Sequence, residues 1–293
     1  MRKSLLALLL TIGMLAACGQ PQTASPTTAP EAPTTAAATT APEPTAAATT
    51  APEPTAAATA EATAEATAAP TTGTGSGETF RVGLVTDVGK VNDGTFNQYA
   101  YEGLKRAESE LGVETAFIET QAQTDYLKNI DQFASQGFDM IVTVGFLMGD
   151  ATKEAAAKYP DIEFAIVDNA YDPPLPNVEA LVFAEDEAGY LAGVLAASVT
   201  KSGTVAAVGG VEIPPVQKFL LGYENGAKSV NPDIQVKRVY IDSFTDRARG
   251  AEAARSFIAE GADVIFGAGG QTGSGGIQAA AQDGVYVIGV DQD

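Results

Sequence analysis

From residue 80 onward, short apolar runs alternate with longer stretches in which apolar residues recur every three or four positions. The short runs predict β-strands and the longer stretches predict amphipathic helices. Runs such as Met140–Val142 and Val285–Ile288 are apolar at every position, which is typical of parallel strands covered on both faces. The predicted strands are 81–86, 114–119, 139–144, 162–167, 178–183, 204–208, 235–241, 263–266 and 285–290, and the predicted helices are 94–111, 125–136, 148–158, 185–199, 216–230, 246–260 and 275–283.

This regular alternation predicts an α/β fold built from parallel βαβ units with right-handed crossovers. Glycines at positions 112, 137, 261 and 284 follow predicted helices, where a left-handed residue closes the last turn. The length fits two such units in tandem better than one long sheet. We therefore predict an N-terminal lobe over residues 80–183 and a C-terminal lobe over residues 184–293.

The first eighteen residues have the pattern of a secretory signal. Arg2 and Lys3 precede an apolar run from Leu5 to Leu15, which is too short to span a membrane. The segment Leu15–Cys18 resembles a bacterial lipobox, which implies a signal peptide over residues 1–17 and acylation of Cys18, for example with palmitate. The alternative is an ordinary cleaved signal with an incidental cysteine. Because Cys18 is the only cysteine, lipidation would also remove a lone thiol from an oxidising compartment.

Residues 18–79 differ from the rest of the chain in composition. They consist mainly of Thr, Ala, Pro and Glu, with a repeated decapeptide at 41 and 51, and no large apolar side chain stands between Cys18 and Phe80. Such a segment has nothing to bury against the entropy of ordering it. We predict a disordered stalk that holds the lobes away from a lipid surface; a leader of no selected length is the alternative.

Composition excludes several kinds of function. The chain has no histidine and a single cysteine, so the usual zinc, copper and haem sites lack their ligands, and a histidine base or cysteine nucleophile is ruled out. We predict no metal and no cofactor, although a carboxylate-dependent enzyme stays possible. The net charge of −20 argues against nucleic acid as a partner.

Three aspartates mark a candidate ligand site. Asp87, Asp168 and Asp291 each follow a largely apolar predicted strand. Ligands of open parallel sheets bind beyond the carboxyl ends of the strands, so these side chains should converge on one cleft. Carboxylates there can accept paired hydrogen bonds from sugar hydroxyls or from a base N–H. A single aspartate at such a place more often caps a helix or shapes a turn.

Aromatic and glycine residues extend this candidate site. Phe96 stands at the mouth of the first predicted helix, and Phe244 follows the seventh predicted strand. Each ring could stack on a flat ligand, or could pack on its own helix as a hydrophobic staple. The glycine-rich segment 267–276 lacks the lysine of a phosphate-binding loop. We therefore expect a loop that brings backbone close to a ligand.

Four segments in order, 83–97, 185–193, 209–215 and 288–293, resemble the basic membrane protein family. Members are bacterial solute-binding lipoproteins of ABC importers, and several bind purine nucleosides. The resemblance implies the type I periplasmic-binding-protein fold, in which two Rossmann-like lobes close on a ligand. It also implies a C-terminal return past Asp293, with a hinge strand and a ligand-binding lysine, so we expect the C-terminal lobe over residues 184–293 to be truncated.

The resemblance also implies roles for particular residues. Phe96 would stack on the base, helped by Phe244. Asp168 would read a polar group of the ligand, with Asp87 and Asn97 nearby. Asp291 would hold the ribose hydroxyls, and Gly269 would offer its backbone.

The function that follows is an extracytoplasmic, lipid-anchored receptor on the cell membrane. It would capture a purine nucleoside by hinge closure and deliver it to an ABC permease. A sensor of the same fold for another sugar or small solute is the alternative. A nucleoside hydrolase that uses Asp87, Asp168 and Asp291 as acid and base is a third possibility.

Overall fold

A computed structural model of the protein describes residues 79–291. The predicted signal peptide, Cys18, the stalk up to residue 78 and the last two residues lie outside the described residues.

The N-terminal lobe is a five-stranded parallel sheet in the order β2-β1-β3-β4-β5. Helix α1 packs on one face through a cluster that includes Leu84 and Leu104, and helices α2 and α3 pack on the other face around Ile130 and Phe164. The strands are β1 (Arg81–Val88), β2 (Glu114–Thr120), β3 (Met140–Val144), β4 (Glu163–Val167) and β5 (Val178–Leu181), and the helices are α1 (Phe96–Leu111), α2 (Tyr126–Ser135) and α3 (Gly149–Lys158).

The C-terminal lobe is a four-stranded parallel sheet in the order β7-β6-β8-β9. Helices α4 and α5 cover one face around Leu220 and Tyr223, and α6 and α7 cover the other around Ala254 and Ala280. The strands are β6 (Thr204–Gly209), β7 (Gln235–Tyr240), β8 (Val264–Ala268) and β9 (Tyr286–Ile288), and the helices are α4 (Glu185–Val199), α5 (Pro214–Val230), α6 (Arg247–Ala259) and α7 (Gly270–Gln282).

The predicted fold class is confirmed, since both sheets are parallel and helices cover both of their faces. Each sheet places the carboxyl ends of its strands at one edge, which is where the loops that carry the candidate residues begin. Among residues 79–291, no helix is both long and apolar enough to cross a bilayer.

The glycine-rich segment is where the prediction was wrong. We expected a loop before a helix at residue 275, but α7 begins at Gly270. The glycines serve helix packing: a Cβ at Gly275 would lie 2.2 Å from the carbonyl oxygen of Arg247, and one at Gly250 would lie 2.0 Å from that of Thr272. The run is glycine-rich because α6 and α7 cross at backbone contact, a constraint that local propensity does not reveal.

A second correction concerns Asp87, which lies inside β1 and not after it. The register of β1 against β2 shifts between Val85 and Val88, so β1 carries one extra residue there. Such a bulge bends the strand and re-aims a side chain. The strand extends to Val88, two residues past the predicted end, and the bulge includes Asp87.

Candidate functional site

A cavity of about 760 Å³ lies between the two lobes, within the range of small-molecule sites. Loops at the carboxyl ends of both sheets form its walls. All seven candidate ligand residues line this one cavity: Asp87, Phe96, Asn97, Asp168, Phe244, Gly269 and Asp291. The structure thus brings the seven together; their contact with a ligand stays a prediction.

Asp87 is a buried carboxylate with two donors. The Tyr126 hydroxyl donates to its Oδ1, and the backbone N–H of Val88 donates to the same atom at 2.6 Å. Burial raises the pKa of Asp87 above its ordinary value, while the Tyr126 and Val88 hydrogen bonds oppose that rise. The other oxygen faces Gly145, where a Cβ would approach it to 3.0 Å. The strand bulge, Tyr126 and Gly145 together position this carboxylate at the cavity wall.

Asp168 directly follows β4 with φ of +65°, a left-handed conformation that costs free energy in any residue with a Cβ. Burial raises the pKa of Asp168 and the carboxylates of Glu185 and Asp291 add to the rise; with the opposing charge of Lys218 included, the pKa is about 7. Several carboxylates therefore approach one another here. Among the described residues no hydrogen bond reaches the Asp168 carboxylate, so it is free to accept one from a ligand.

Asp291 also has a left-handed backbone, with φ of +76°. Desolvation in the cleft and the nearby carboxylate of Asp93 raise the pKa of Asp291. The residue as a whole is more exposed than Asp168. It adds a further acceptor at the rim of the cavity.

Two buried acceptors on the first helical turn lack partners. Asn97 is 5% exposed and Thr95 is 7% exposed, and both line the cavity. Within residues 79–291, neither Asn97 Oδ1 nor Thr95 Oγ1 has a hydrogen-bond partner. An unpaired buried polar atom costs about 1–3 kcal/mol, so a ligand that donates hydrogen bonds here would remove that cost.

The aromatic candidates also face the cavity, but each has a second neighbour. Phe96 packs partly against the cluster around Leu84 and Leu104, and Phe244 packs partly against the core of the C-terminal lobe. Phe244 also lies on Gly210, where a Cβ would come within 2.4 Å of the ring. Each ring thus packs within its own lobe and also faces the cavity; stacking on a ligand stays a prediction.

Gly269 serves first as a packing residue. A Cβ at Gly269 would lie 2.2 Å from the backbone nitrogen of Gly210, so the ends of β6 and β8 meet only because both positions are glycine. Its backbone lines the cavity, and its contact with a ligand stays a prediction.

Sequence reasoning missed several wall residues. Glu185 is 4% exposed and accepts from Lys218 Nζ at 3.1 Å. Thr95 and Gln271 line the cavity, and Tyr126 holds Asp87 from α2. Thr95 lies directly before Phe96, in the segment 83–97 that resembles the basic membrane protein family. No local sequence pattern indicates Lys218, Gln271 or Tyr126 as a residue of the site. Each belongs to a different helix, and only the packing of these helices brings them near it.

The cavity is thus rich in hydrogen-bond acceptors and poor in cations. The carboxylates of Asp87, Asp93, Asp168, Glu185 and Asp291 line it, and Lys90 is the one basic side chain among the described lining residues. No cluster of carboxylates in the described part of the chain has the geometry of a metal site. The arrangement suits a neutral ligand that has several N–H or O–H donors and a flat face.

The chain is similar to several known proteins. Over 225 residues the chain is 36% identical to the ABC transporter nucleoside-binding protein BmpA of Lactococcus lactis, covering 73% of this chain and 64% of that protein. Over 217 residues it is 35% identical to basic membrane protein A of Borreliella burgdorferi, covering 73% and 63%. It is also 34% identical over 204 residues to a lipoprotein of Pyrococcus horikoshii, covering 67% of this chain and 50% of that one.

Among solved structures, an ABC transporter solute-binding protein from Aeropyrum pernix superposes with a TM-score of 0.67 at 31% identity, over 73% of this chain and 62% of that chain. One from Conexibacter woesei superposes with a TM-score of 0.57, also at 31% identity, over 72% and 70%. The chain spans about two thirds or less of the length of the curated relatives named above. Residues 80–293 match the family model described as "ABC transporter substrate-binding protein PnrA-like", and the chain therefore belongs to the Bmp family of ABC transporter substrate-binding proteins.

Proposed function

We propose that this protein captures a nucleoside, with purine nucleosides preferred, and delivers it to an ABC permease. The observation that carries the proposal is the acceptor-lined cavity between two lobes, with Phe96 and Phe244 on its walls. A nucleoside offers the matching groups: a flat base, donors on the base edge, and vicinal ribose hydroxyls. The Lactococcus lactis relative is named a nucleoside-binding protein, which supports this choice.

Capture would proceed by closure of the lobes. A ligand that touches both walls binds the closed form better than the open one, and so shifts the population toward it. Asp168 precedes the crossover into α4, while Asp291 and Phe244 belong to the second lobe. A ligand that contacts all three would therefore connect the two halves.

A thermal-shift panel on the full chain tests the ligand. It contains adenosine, guanosine, inosine, cytidine, ribose and glucose, since a ligand that binds only the folded state raises the melting temperature by mass action. We expect the purine nucleosides to give the largest shifts and Phe96→Ala to abolish them. Phe117→Ala is the matched control, because Phe117 is 42% exposed on β2 and does not line the cavity. A folded chain that responds to no nucleoside would overturn the proposal.

Capture without chemistry is part of the proposal. The family is one of substrate-binding proteins. Incubating the chain with each nucleoside and separating the products by chromatography should return the nucleoside intact. Release of free base at a rate lost in Asp168→Asn would favour the hydrolase that the sequence left open.

We also propose that the protein stands outside the cell, anchored in the membrane by a lipid on Cys18. The support is the resemblance of Leu15–Cys18 to a lipobox, the substrate-binding family and the lipoprotein among the relatives. Expression in a bacterial host with labelled palmitate should label the wild-type chain and leave Cys18→Ser unlabelled. Equal labelling of both chains would contradict the anchor.

A further inference from the structure

Asp93 lies in the loop between β1 and α1, and its carboxylate organises the start of the helix. Oδ1 accepts hydrogen bonds from the backbone N–H of Thr95 at 2.8 Å and of Gln98 at 3.2 Å. These N–H groups belong to the first turn, where a helix has no internal acceptors for them. Asp93 thereby sets the position of the turn that carries the cavity residues of α1.

The other oxygen of Asp93 orients Asn97. Oδ2 accepts from Asn97 Nδ2 at 3.3 Å. A carboxylate only accepts hydrogen bonds, so the amide nitrogen must be the atom that faces Asp93. The amide oxygen is then left at the cavity wall, buried and without a partner among the described residues.

The backbone of Asp93 makes a third contact, to the opposite lobe. Gln271, in the first turn of α7, donates from Nε2 to the carbonyl oxygen of Asp93 at 3.3 Å. Among the hydrogen bonds of residues 79–291, it is the one that joins a residue of the N-terminal lobe to a residue of the C-terminal lobe. Gln271 also lines the cavity, so the contact stands at its edge.

We propose that Asp93 is a positioning residue that couples lobe closure to ligand recognition, with Gln271 as its latch. In the closed form Gln271 holds the Asp93 loop, and Asp93 holds Asn97 with its free oxygen toward the ligand. In the ligand-free protein the same contact holds the Asp93 loop. When the lobes open, water replaces the Gln271 contact and the loop loses its connection to α7. The recognition half of this proposal rests on the proposed function, whereas the latch half does not.

Hydrogen exchange of the ligand-free full chain tests the latch. Gln271→Glu keeps the shape but lacks the N–H donor, and Gln271→Met is a neutral side chain of similar length. One hydrogen bond of this kind corresponds to roughly a two- to tenfold change in an equilibrium. We expect amide exchange in residues 93–98 to accelerate by that factor in both variants.

Gln282→Glu and Gln282→Met are the matched controls, since Gln282 is exposed at the far end of the same helix. They should exchange like the wild-type chain. Exchange in residues 93–98 that is the same in all five proteins would overturn the latch.

Asp93→Asn tests the positioning role. The substitution preserves the carbonyl that Gln271 binds and one side-chain acceptor for the helix start, but it places an N–H donor against the Asn97 amide. We expect dissociation of adenosine, guanosine and inosine to become roughly tenfold faster, with exchange in residues 270–274 unchanged. The double variant Asp93→Asn/Asn97→Asp restores a donor–acceptor pair and should recover most of the loss.

These results separate the proposals. Unchanged nucleoside dissociation in Asp93→Asn, or no recovery in the double variant, would overturn the positioning role. If Asp93→Asn does not fold, the double variant still decides the matter, because its restored pair should fold and bind. If the wild-type chain binds none of the three nucleosides, both the proposed function and the recognition role of Asp93 are overturned. The exchange data would still show whether the Gln271 contact holds the Asp93 loop.

Discussion

Gly226 of α5 lies against the backbone of Tyr190 of α4 so closely that a Cβ at position 226 would be 2.0 Å from the Tyr190 carbonyl oxygen. The reverse contact is equally tight, since a Cβ at Gly193 would be 2.0 Å from the carbonyl oxygen of Tyr223. Helices α4 and α5 therefore pack backbone against backbone. Glu185 begins α4 and Lys218 lies on α5, so this contact also brings Lys218 to Glu185, which lines the cavity.

Gly226→Ala should destabilise the protein by at least about 2 kcal/mol, because the added methyl group meets backbone that cannot rotate away. Gly103→Ala is the matched control: Gly103 lies in α1, is exposed, and nothing lies within 4 Å of a Cβ there. That change should be neutral or stabilise by roughly 0.5–1 kcal/mol. Urea denaturation of the full chain measures both, and equal effects would contradict the packing argument.

Asp168 should make the stability of the unliganded protein fall as pH rises. Its pKa is about 7 in the fold against an ordinary 3.8, so between these values the folded state holds a proton that the unfolded state has lost. The slope of unfolding free energy with pH is therefore negative from about pH 4 to pH 7 and levels off above. Asp168→Asn should reduce this slope and melt higher than wild type at pH 8.

Asp242→Asn is the control for that experiment. Asp242 has the same left-handed backbone, with φ of +60°, but is exposed and outside the cavity lining. Its variant should keep the wild-type dependence of melting temperature on pH. Identical profiles for all three proteins would show that Asp168 does not carry the effect.

Tyr126→Phe should destabilise the protein by about 1–3 kcal/mol, because it removes a donor from the buried Asp87 carboxylate. The pKa of Asp87 would rise further, since that hydrogen bond lowers it. The effect should shrink in the Asp87→Asn background, where no carboxylate remains to be satisfied. A double-mutant cycle in urea measures the coupling, and a value near zero would refute the interaction.

Phosphorylated nucleosides should bind at least about tenfold more weakly than their parent nucleosides, because a dianionic phosphate would enter a cavity lined by carboxylates. Titration calorimetry with adenosine and adenosine monophosphate measures the difference. The difference in affinity between adenosine and adenosine monophosphate should be smaller in Asp291→Asn, because this substitution removes one negative charge from the rim of the cavity. Equal affinity for the two ligands would mean that the phosphate avoids the acidic wall.

The sequence was sufficient for the fold class and for the order of the elements. The spacing of apolar residues within a single strand or helix shows which of its faces is buried, so these elements can be recognised from short stretches of sequence. The same reasoning placed Asp87, Phe96, Asp168, Phe244, Gly269 and Asp291 near the carboxyl ends of strands, and the family resemblance added Asn97 and suggested the roles of these residues. Those roles stay predictions.

What only the tertiary structure decided is which distant residues meet. The glycines of segment 267–276 gave no sign that α6 would press against them, and nothing near Tyr126 indicated Asp87 as its partner. Gln271 and Asp93 lie 178 positions apart along the chain and meet only because two sheets converge on one cavity. Local sequence encodes burial and periodicity, whereas a contact between lobes depends on the packing of every element between them.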